Sequence, residues 1–239
     1  MNQREQFVQN IFDRIAPRYD LLNRIISLHL DTRWRNKLIR ALDLKGSNGL
    51  VLDLGTGTGD LALAAAREMG AKGKIFGLDF STEMIGLARQ KKEKLPYGDK
   101  IVYVLGSALA APFREAEFDA IVTAFVLRNV ANRKLFFREA YRLLRPGGKI
   151  ASLDMFPPHR APFSFFYSLY FYRLVPWIGA ALAHHRRAYQ YLSDSVRGFD
   201  SPEAIAQLIQ EAGFHAVKIQ RFLLGAVCFH TAEKPSDRS

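Results

Sequence analysis

The stretch that decides the fold is Val51-Leu-Asp-Leu-Gly-Thr-Gly-Thr-Gly-Asp60, followed after an apolar helical segment by Lys74-Ile-Phe-Gly-Leu-Asp79. A short apolar run that stops at three alternate glycines predicts a buried strand that turns into a helix. The glycines allow the backbone to approach a ligand closely because they have no side chain. Asp79 ends the second apolar run, where its carboxylate can accept hydrogen bonds from a ribose diol. Together the two segments predict a nucleoside-binding site.

The glycine spacing narrows the choice of nucleoside. A dinucleotide fingerprint has the form G-x-G-x-x-G and directs a helix N-terminus at a pyrophosphate. This chain has G-x-G-x-G instead, with Asp53 two residues before the first glycine. A carboxylate there would repel a pyrophosphate, but it suits a cationic amino-acid group such as that of S-adenosylmethionine (SAM). Glycine turns are also common in loops that bind nothing, so this motif alone leaves that alternative open.

Length and composition fit one α/β domain. The chain has 239 residues, a formal net charge of +11 and a pI near 9.9. This charge indicates an acidic partner surface, either anionic lipid or nucleic acid, and does not choose between them. Cys228 is the only cysteine, which excludes an intrachain disulfide and a cysteine-based metal cluster and fits a reducing cytoplasm. The polar N-terminus predicts no secretion signal, and we expect no metal site.

Strands alternate with helices through the middle of the chain, which predicts a parallel sheet with both faces covered. The predicted strands are Leu50–Leu54, Ile75–Leu78, Ile101–Leu105, Asp119–Ala124 and Lys149–Leu153, followed by an antiparallel edge pair, Val217–Arg221 and Gly225–His230. Ligands of such sheets lie at the carboxyl ends of the strands. The glycine loop, Asp79, Ser107, Arg128 and Asp154 all fall at those ends.

Two segments lie outside this alternation. Residues 5–45 precede the first strand, and their apolar spacing predicts helices over 5–42 that are broken at Pro17. This extension is interpreted either as a flap over the cofactor site or as a solvated amphipathic helix pair. Residues 155–199 form the second segment, an insertion rich in phenylalanine and tyrosine between positions 163 and 177.

The insertion approaches membrane-spanning length, but Arg173 and Pro176 argue against a lipid-exposed span. The pattern favours either an aromatic-lined apolar pocket or a helix lying in the plane of a membrane. The basic cluster His184-His-Arg-Arg187 would then meet anionic headgroups, or else form a solvated helix end. His184 and His185 are adjacent, so they make a poor metal pair.

Several motifs resemble those of one enzyme family. They are Phe12-Asp-Arg-Ile-Ala-Pro-Arg-Tyr-Asp-Leu-Leu-Asn23, Trp34-Arg35, Ala124-Phe-Val-Leu-Arg-Asn-Val130, Arg145-Pro-Gly-Gly148, Tyr189-Gln-Tyr-Leu-Ser-Asp-Ser195 and Glu211-Ala-Gly-Phe214. The chain resembles the ubiquinone/menaquinone biosynthesis C-methyltransferase family over about residues 8 to 231. The resemblance implies a single SAM-dependent methyltransferase domain over residues 1–239. The implied fold is the Rossmann-like class I sheet of seven strands with its last pair antiparallel.

The resemblance also implies a reaction, methyl transfer from SAM to a ring carbon of a polyprenylated quinol. The ring is that of demethylmenaquinol or, alternatively, of a benzoquinol in ubiquinone biosynthesis. Because the carbon becomes nucleophilic when a neighbouring phenol loses its proton, the site needs proton removal and charge stabilisation. The implied catalytic residues are Arg128, which could hold the phenolate or orient a water, Asn129 and Tyr19, which could complete the hydrogen bonding, and Asp154 as a candidate base. The alternative for Asp154 is a carboxylate that backbone groups or an arginine satisfy.

The family also implies a cofactor site. Its expected residues are Asp53, Gly55, Thr56, Gly57, Thr58, Gly59, Asp79, Phe80, Met84, Ser107, Ala108 and Ala124. Ser107 is shorter than the Asp or Asn that the family often has there, and Ala124 replaces a usual Ser. The implied partners are the quinol and an anionic membrane surface, with the protein cytoplasmic at the inner face of the cell membrane. A homodimer is allowed, and no nucleic acid is expected.

Two rival functions remain open on the sequence alone. The positive charge would suit a nucleic-acid methyltransferase, but base N-methylation commonly uses an Asn/Asp-Pro-Pro-aromatic motif after the fourth strand. This chain has Thr123-Ala-Phe-Val there. Base C5-methylation uses a catalytic cysteine, and Cys228 lies in the last predicted strand instead. A non-catalytic SAM-binding or membrane-scaffold protein is the second rival.

Overall fold

The computed structural model describes residues 3–158, 161–175, 177 and 186–236. Its strands are β1 (Leu50–Leu54), β2 (Lys74–Asp79), β3 (Ile101–Leu105), β4 (Phe118–Ala124), β5 (Leu144–Met155), β6 (His215–Phe222) and β7 (Val227–Glu233). Its helices are α1 (Gln3–Ile26), α2 (Leu30–Ala41), α3 (Asp60–Glu68), α4 (Thr82–Lys92), α5 (Arg133–Leu143), α6 (Phe163–Leu169), α7 (Arg186–Arg197) and α8 (Pro202–Glu211). A π-helical turn, Tyr170–Leu174, continues α6.

The seven strands form one sheet in the order β3-β2-β1-β4-β5-β7-β6. The first five strands pair in parallel, and β7 lies antiparallel between β5 and β6. The predicted α/β sheet with an antiparallel final pair is therefore confirmed. The order reverses between β1 and β4, so a crevice opens at the carboxyl ends of these strands, where open α/β sheets bind ligands.

Strand β1 is almost wholly apolar because both faces of the sheet are covered. Val51 belongs to a core formed with α2 and α3 on one face. Leu52 and Leu54 belong to a second core, formed with α5 and α8 on the other face. Asp53 interrupts this strand and is only 1% exposed, so a titratable group is buried at the carboxyl end of the central strand.

Helix α1 differs from the prediction because it continues through Pro17. A proline inside a helix removes one backbone hydrogen bond and crowds the preceding turn. Here Pro17 faces solvent, while its neighbours Ile15 and Ala16 are buried, so packing on both sides outweighs the local cost. The chain turns later instead, at Leu28 and His29, which both have positive φ. The prediction of a helical extension outside the sheet is confirmed, and the predicted break at Pro17 is wrong.

The insertion packs against this N-terminal extension. Leu22 and Ile26 of α1 form a third apolar cluster with Phe171, Val175 and Val196 of the insertion. The Tyr170 hydroxyl donates a hydrogen bond to the Ile26 carbonyl at 2.9 Å. The two segments that depart from the strand–helix alternation therefore make one joint structure.

Within the described ranges, no helix combines the length and the apolar character that crossing a membrane requires. The predicted basic cluster lies outside what can be described, because His184 and His185 fall in a gap and the side chains of Arg186 and Arg187 are not described. Pro176 also falls outside the described residues.

Tyr103 of β3 packs closely against the glycine loop and against β2. A Cβ at Gly59, where φ is 85°, would lie 2.2 Å from the Tyr103 hydroxyl oxygen. A Cβ at Gly77 of β2 would lie 2.6 Å from the Tyr103 ring and 2.9 Å from Thr56 Oγ1. Both glycines are therefore required by close packing against one tyrosine.

We expect Gly77→Ala to destabilise the fold by about 1–3 kcal/mol, because overpacking a tight site forces rings or backbone to move. Gly86→Ala is the matched control. It lies in α4, where an added Cβ meets nothing within 4 Å, so we expect stabilisation of about 0.4–1 kcal/mol. Urea unfolding followed by circular dichroism measures both. Equal effects of the two substitutions would contradict this account of Gly77.

Candidate functional site

The loop between β1 and α3 takes a backbone path that needs glycine. Gly55, Gly57 and Gly59 have φ values of 75°, 53° and 85°. A Cβ at Gly55 would lie 2.5 Å from the Val126 side chain, whereas a Cβ at Gly57 would meet nothing within 4 Å. Gly57 therefore faces open space, and the loop wraps around that space.

Asp79 ends β2 and braces this loop. Gly57 N donates to Asp79 Oδ2 at 2.8 Å, and Ser81 N donates to Asp79 Oδ1 at 2.9 Å. Burial raises the pKa of Asp79, although these backbone hydrogen bonds oppose the shift. The carboxylate is thus fixed at the edge of the space that Gly57 faces.

Asp53 lies beneath the same loop with one oxygen unsatisfied. Thr56 Oγ1 donates to Asp53 Oδ2 at 2.7 Å. Asp53 Oδ1 is buried and has no hydrogen-bond partner among the described residues. Burial raises the pKa of Asp53 to about 7, the Thr56 hydrogen bond opposes the shift, and the nearby Asp79 charge adds to it. A buried carboxyl in this state favours a ligand that brings a cation or a donor.

A cavity of about 100 Å³ lies over these groups. Most of the predicted cofactor residues line it, namely Asp53, Gly55, Thr56, Gly57, Thr58, Asp79, Phe80, Met84, Ala108 and Ala124. Gly59 and Ser107 do not line the cavity. Gly59 packs on Tyr103, and the Ser107 hydroxyl contacts Glu5 of α1.

Helix α1 covers the cavity through polar contacts that the sequence analysis missed. The Thr58 hydroxyl donates to Asp20 Oδ1 at 2.6 Å, and Ser81 donates to Asp13. Gln9 Nε2 donates to the Phe80 carbonyl at 3.2 Å. Glu5, Gln9 and Asp13 are spaced at i, i+4 and i+8, which places them on one helix face. That polar spacing, beside the apolar one, is the signal that could have found them.

A second, small cavity of about 20 Å³ adjoins the first. It is lined by three of the four predicted catalytic residues, Tyr19, Arg128 and Asn129. Tyr19 and Asn129 also line the larger cavity, as does Phe12. Two compartments therefore meet at these side chains.

Asp154, the predicted base, instead holds Arg128. Arg128 Nη1 donates to Asp154 Oδ1 at 2.6 Å, and Met155 N donates to the same oxygen at 2.8 Å. Both side chains are almost fully buried, and Asp154 does not line either cavity. The Asp154 carboxylate is thus already occupied by the guanidinium and by a backbone N–H. This geometry fits the alternative in which an arginine satisfies Asp154, and its role as a base stays a prediction.

Arg128 keeps one donor free. Its Nε is buried and has no hydrogen-bond partner among the described residues. The guanidinium lies 5.7 Å from the centre of the Phe125 ring. Burial raises the pKa of Tyr19, and the Arg128 charge partly offsets this. Tyr19 is therefore a neutral hydroxyl near a cation at physiological pH.

Two further residues order Asn129, and the sequence analysis did not include them in the site. The Tyr191 hydroxyl of α7 donates to Asn129 Oδ1 at 3.1 Å, and Asn129 Nδ2 donates to the Phe125 carbonyl at 3.3 Å. Phe125 has a φ of 63°, a conformation that costs a non-glycine residue about 1–3 kcal/mol and is concentrated at functional sites. No sequence pattern predicts that strain, although Tyr191 lies in a motif already quoted.

Comparison with known proteins agrees with this site. The family model described as the ubiE/COQ5 methyltransferase family matches residues 1–234. This chain belongs to the ubiE/COQ5 methyltransferase family. The demethylmenaquinone methyltransferase of Lactiplantibacillus plantarum is 38% identical over 227 residues, which cover 95% of each chain. The ubiquinone/menaquinone biosynthesis C-methyltransferase UbiE of Geobacter sulfurreducens is 36% identical over 234 residues, which cover 98% of this chain and 91% of that one.

A solved SAM-dependent methyltransferase from Aquifex aeolicus shares the fold of this ubiE/COQ5 family member. The TM-score is 0.61 at 20% identity, over 83% of this chain and 88% of the other. The predicted family and fold are therefore both confirmed.

The cavity of this ubiE/COQ5 family member fits the predicted cofactor, SAM, on three points. Asp79 lies at the end of β2, where a ribose would reach it. Gly57 presents its backbone to open space. The unsatisfied oxygen of Asp53 offers a partner to the ammonium of the methionine group.

We expect S-adenosylhomocysteine to bind less tightly as pH falls, because the ligand ammonium needs ionised Asp53. With the pKa of Asp53 near 7, affinity should drop by up to about tenfold for each pH unit below that value. Isothermal titration calorimetry at several pH values measures this. Asp53→Asn is the control, for which we expect weaker binding with little pH dependence below neutrality. An unchanged pH dependence in Asp53→Asn would rule out Asp53 as the titrating group.

Proposed function

We propose that this chain transfers a methyl group from SAM to a ring carbon of a polyprenylated quinol, namely demethylmenaquinol. The observation that carries the proposal is the second cavity, in which Arg128, Asn129 and Tyr19 meet beside the cofactor cavity. The name of the Lactiplantibacillus relative supports the naphthoquinol as acceptor. The equivalent benzoquinol is the alternative, and the ubiquinone/menaquinone name of the Geobacter relative leaves room for it.

The residues of the second cavity suit the acceptor rather than the donor. SAM supplies an electrophilic methyl group on a sulfonium. The ring carbon becomes nucleophilic when the adjacent hydroxyl loses its proton, and a buried guanidinium stabilises the resulting oxyanion. Arg128 has a free Nε donor for that oxygen, and Asp154 fixes its orientation from behind. Arg128 is thus the charge-stabilising residue in this proposal, and Asp154 its positioning residue.

In this proposal, Tyr19 and Asn129 are uncharged residues that form hydrogen bonds to the acceptor. Because burial raises the pKa of Tyr19, its hydroxyl stays protonated and donates a hydrogen bond rather than removing a proton. Asn129 is held by Tyr191 and by the Phe125 carbonyl, so its amide is presented in one orientation. With Asp154 paired to Arg128, the proton of the quinol leaves through a water, and Arg128 lowers the pKa of the hydroxyl that releases it.

We expect the purified protein with SAM and a short-chain demethylnaphthoquinol to form the methylated quinol and S-adenosylhomocysteine. Arg128→Ala should keep S-adenosylhomocysteine affinity and lower kcat by about 100- to 1,000-fold, as loss of an oxyanion donor does. Asp79→Ala should weaken S-adenosylhomocysteine binding by about 10- to 100-fold, since it removes charged hydrogen bonds to the ligand. Mass spectrometry of the quinol and calorimetry of the nucleoside measure these effects.

The control for that experiment is Arg145→Ala. Arg145 pairs with Asp119 at the opposite end of β4 and should leave both quantities unchanged. Equal loss of nucleoside binding in Arg128→Ala and Asp79→Ala would contradict this division of the site. Intact SAM binding with no turnover on either quinol would favour the non-catalytic rival, and methylation of nucleic acid alone would favour the other.

We also propose that the insertion docks on an anionic membrane surface at the cytoplasmic face, where a polyprenyl acceptor is dissolved. Phe165, Phe166 and Trp177 are 69%, 63% and 72% exposed. Arg173 and Arg197 are exposed, and both line a surface groove together with Phe165. Aromatic side chains with adjacent cations are typical of interfacial binding. The homodimer that the sequence allows stays a prediction.

We expect the protein to float with vesicles that contain anionic phospholipid and to be released by salt, because basic side chains contribute to binding. The double substitution Phe165→Ser and Phe166→Ser should reduce flotation. Leu135→Ser, at an exposed apolar position of α5, is the matched control and should have little effect. Flotation that is insensitive to salt would instead indicate purely apolar insertion.

A further inference from the structure

The charged residues that line the larger cavity are unevenly distributed. Its acidic lining residues are Glu5, Asp53, Asp60 and Asp79, whereas Arg35 is the only cation among the described lining residues. Arg35 comes from α2, outside the sheet. A cation at this place therefore belongs to the extension and not to the nucleoside-binding loops.

Arg35 is held rigidly before any ligand arrives. It is 7% exposed, and its Nη1 donates to the carboxylate of Asp31, which is itself 2% exposed. Ser27 Oγ donates to the other oxygen of Asp31 at 2.9 Å. The guanidinium lies 5.1 Å from the centre of the Phe125 ring. A carboxylate thus holds one nitrogen of the guanidinium, and an aromatic ring lies against one of its faces.

The rest of the guanidinium remains available. Among the described residues, the Arg35 guanidinium makes one side-chain hydrogen bond, from Nη1 to Asp31. Its charge also acts inside the cavity. Burial opposes ionisation of Asp60, yet Arg35, ahead of Lys91, brings the pKa of Asp60 below its ordinary value. Arg35 therefore offers free donors and a positive charge to the same space as the acidic residues.

The methionine end of SAM carries an ammonium and a carboxylate, and these groups need partners of opposite sign. Asp53 suits the ammonium, because one of its oxygens is buried without a partner. None of the acidic lining residues can accept the carboxylate. An arginine binds carboxylates with two parallel hydrogen bonds, which gives orientation as well as affinity.

We propose that Arg35 binds the carboxylate of the methionine group of SAM and so couples the N-terminal extension to cofactor binding. The inference rests on the proposed function only in that the cavity holds SAM. It assigns a cofactor role to α2, which the strand–loop motifs do not include. The flap then supplies part of the cofactor site.

The test compares two ligands that differ only in that carboxylate, SAM and decarboxylated SAM, by calorimetry on the full chain without any quinol. We expect the wild-type protein to prefer SAM by about 10- to 100-fold, the value of a hydrogen-bonded charged contact. Arg35→Gln should lose most of this preference by weakening SAM binding while leaving decarboxylated SAM nearly unchanged. Arg35→Lys should retain part of this preference, because lysine keeps the positive charge but cannot form two parallel hydrogen bonds to the carboxylate.

Arg40→Gln is the control, since Arg40 is exposed on the same helix. Equal weakening of both ligands in Arg35→Gln would show a merely structural role and overturn the proposal, as would a preference for SAM that survives the substitution. If Arg35→Gln does not fold, Arg35→Lys answers the same question, and an undiminished preference for SAM in Arg35→Lys would also overturn the proposal. Because no acceptor is present, failure of quinol methylation is a separate result.

Discussion

A buried carboxyl oxygen without a hydrogen bond is unfavourable, and this chain has one at the end of its central strand. Asp53 stands at the carboxyl end of β1 with one oxygen unsatisfied and a pKa near 7. The glycine loop leaves space above it, and Asp79 closes the edge of that space. The pair of acids disfavours an anionic ligand and favours one that carries positive charge. The cofactor site is therefore incomplete in charge until its ligand binds, and the remaining segments are arranged around that ligand.

The buried guanidinium of Arg128 differs from Asp53 because it already has a partner of opposite charge. Arg128 is paired with Asp154, and both are removed from water. Breaking a buried pair by removing one partner typically costs about 3–5 kcal/mol, so the guanidinium is held firmly in one orientation. Its free Nε then points a donor without needing solvent to stabilise it. One site thus contains a carboxyl with an unsatisfied oxygen and a guanidinium that is already paired, and the proposed function assigns the first to the cofactor and the second to the acceptor.

The sequence predicted the sheet well because its signals are local. The runs Leu50–Leu54 and Ile101–Leu105 match β1 and β3, since apolar strands that end at glycine or a polar loop are unambiguous. Pro17 misled the prediction because a local penalty was outweighed by tertiary packing of α1. The pairing of Asp154 with Arg128, the positive φ of Phe125 and the contact of Tyr191 with Asn129 depend on residues brought together from different elements. Contacts between residues that are distant in the chain leave no periodic pattern in the sequence. Only the motifs that contain these residues could therefore be recognised.

The chemistry that distinguishes this chain comes from what is added to a common sheet. Folds of this kind carry many different activities, so the sheet alone does not specify the reaction. Tyr19 comes from α1, Arg35 from α2 and Tyr191 from α7, and each reaches a cavity that the strand ends only outline. Because α1 also packs on the insertion, the two additions close over the site together. Displacement of either one would therefore disturb both compartments, so the proposed acceptor contacts depend on the added helices.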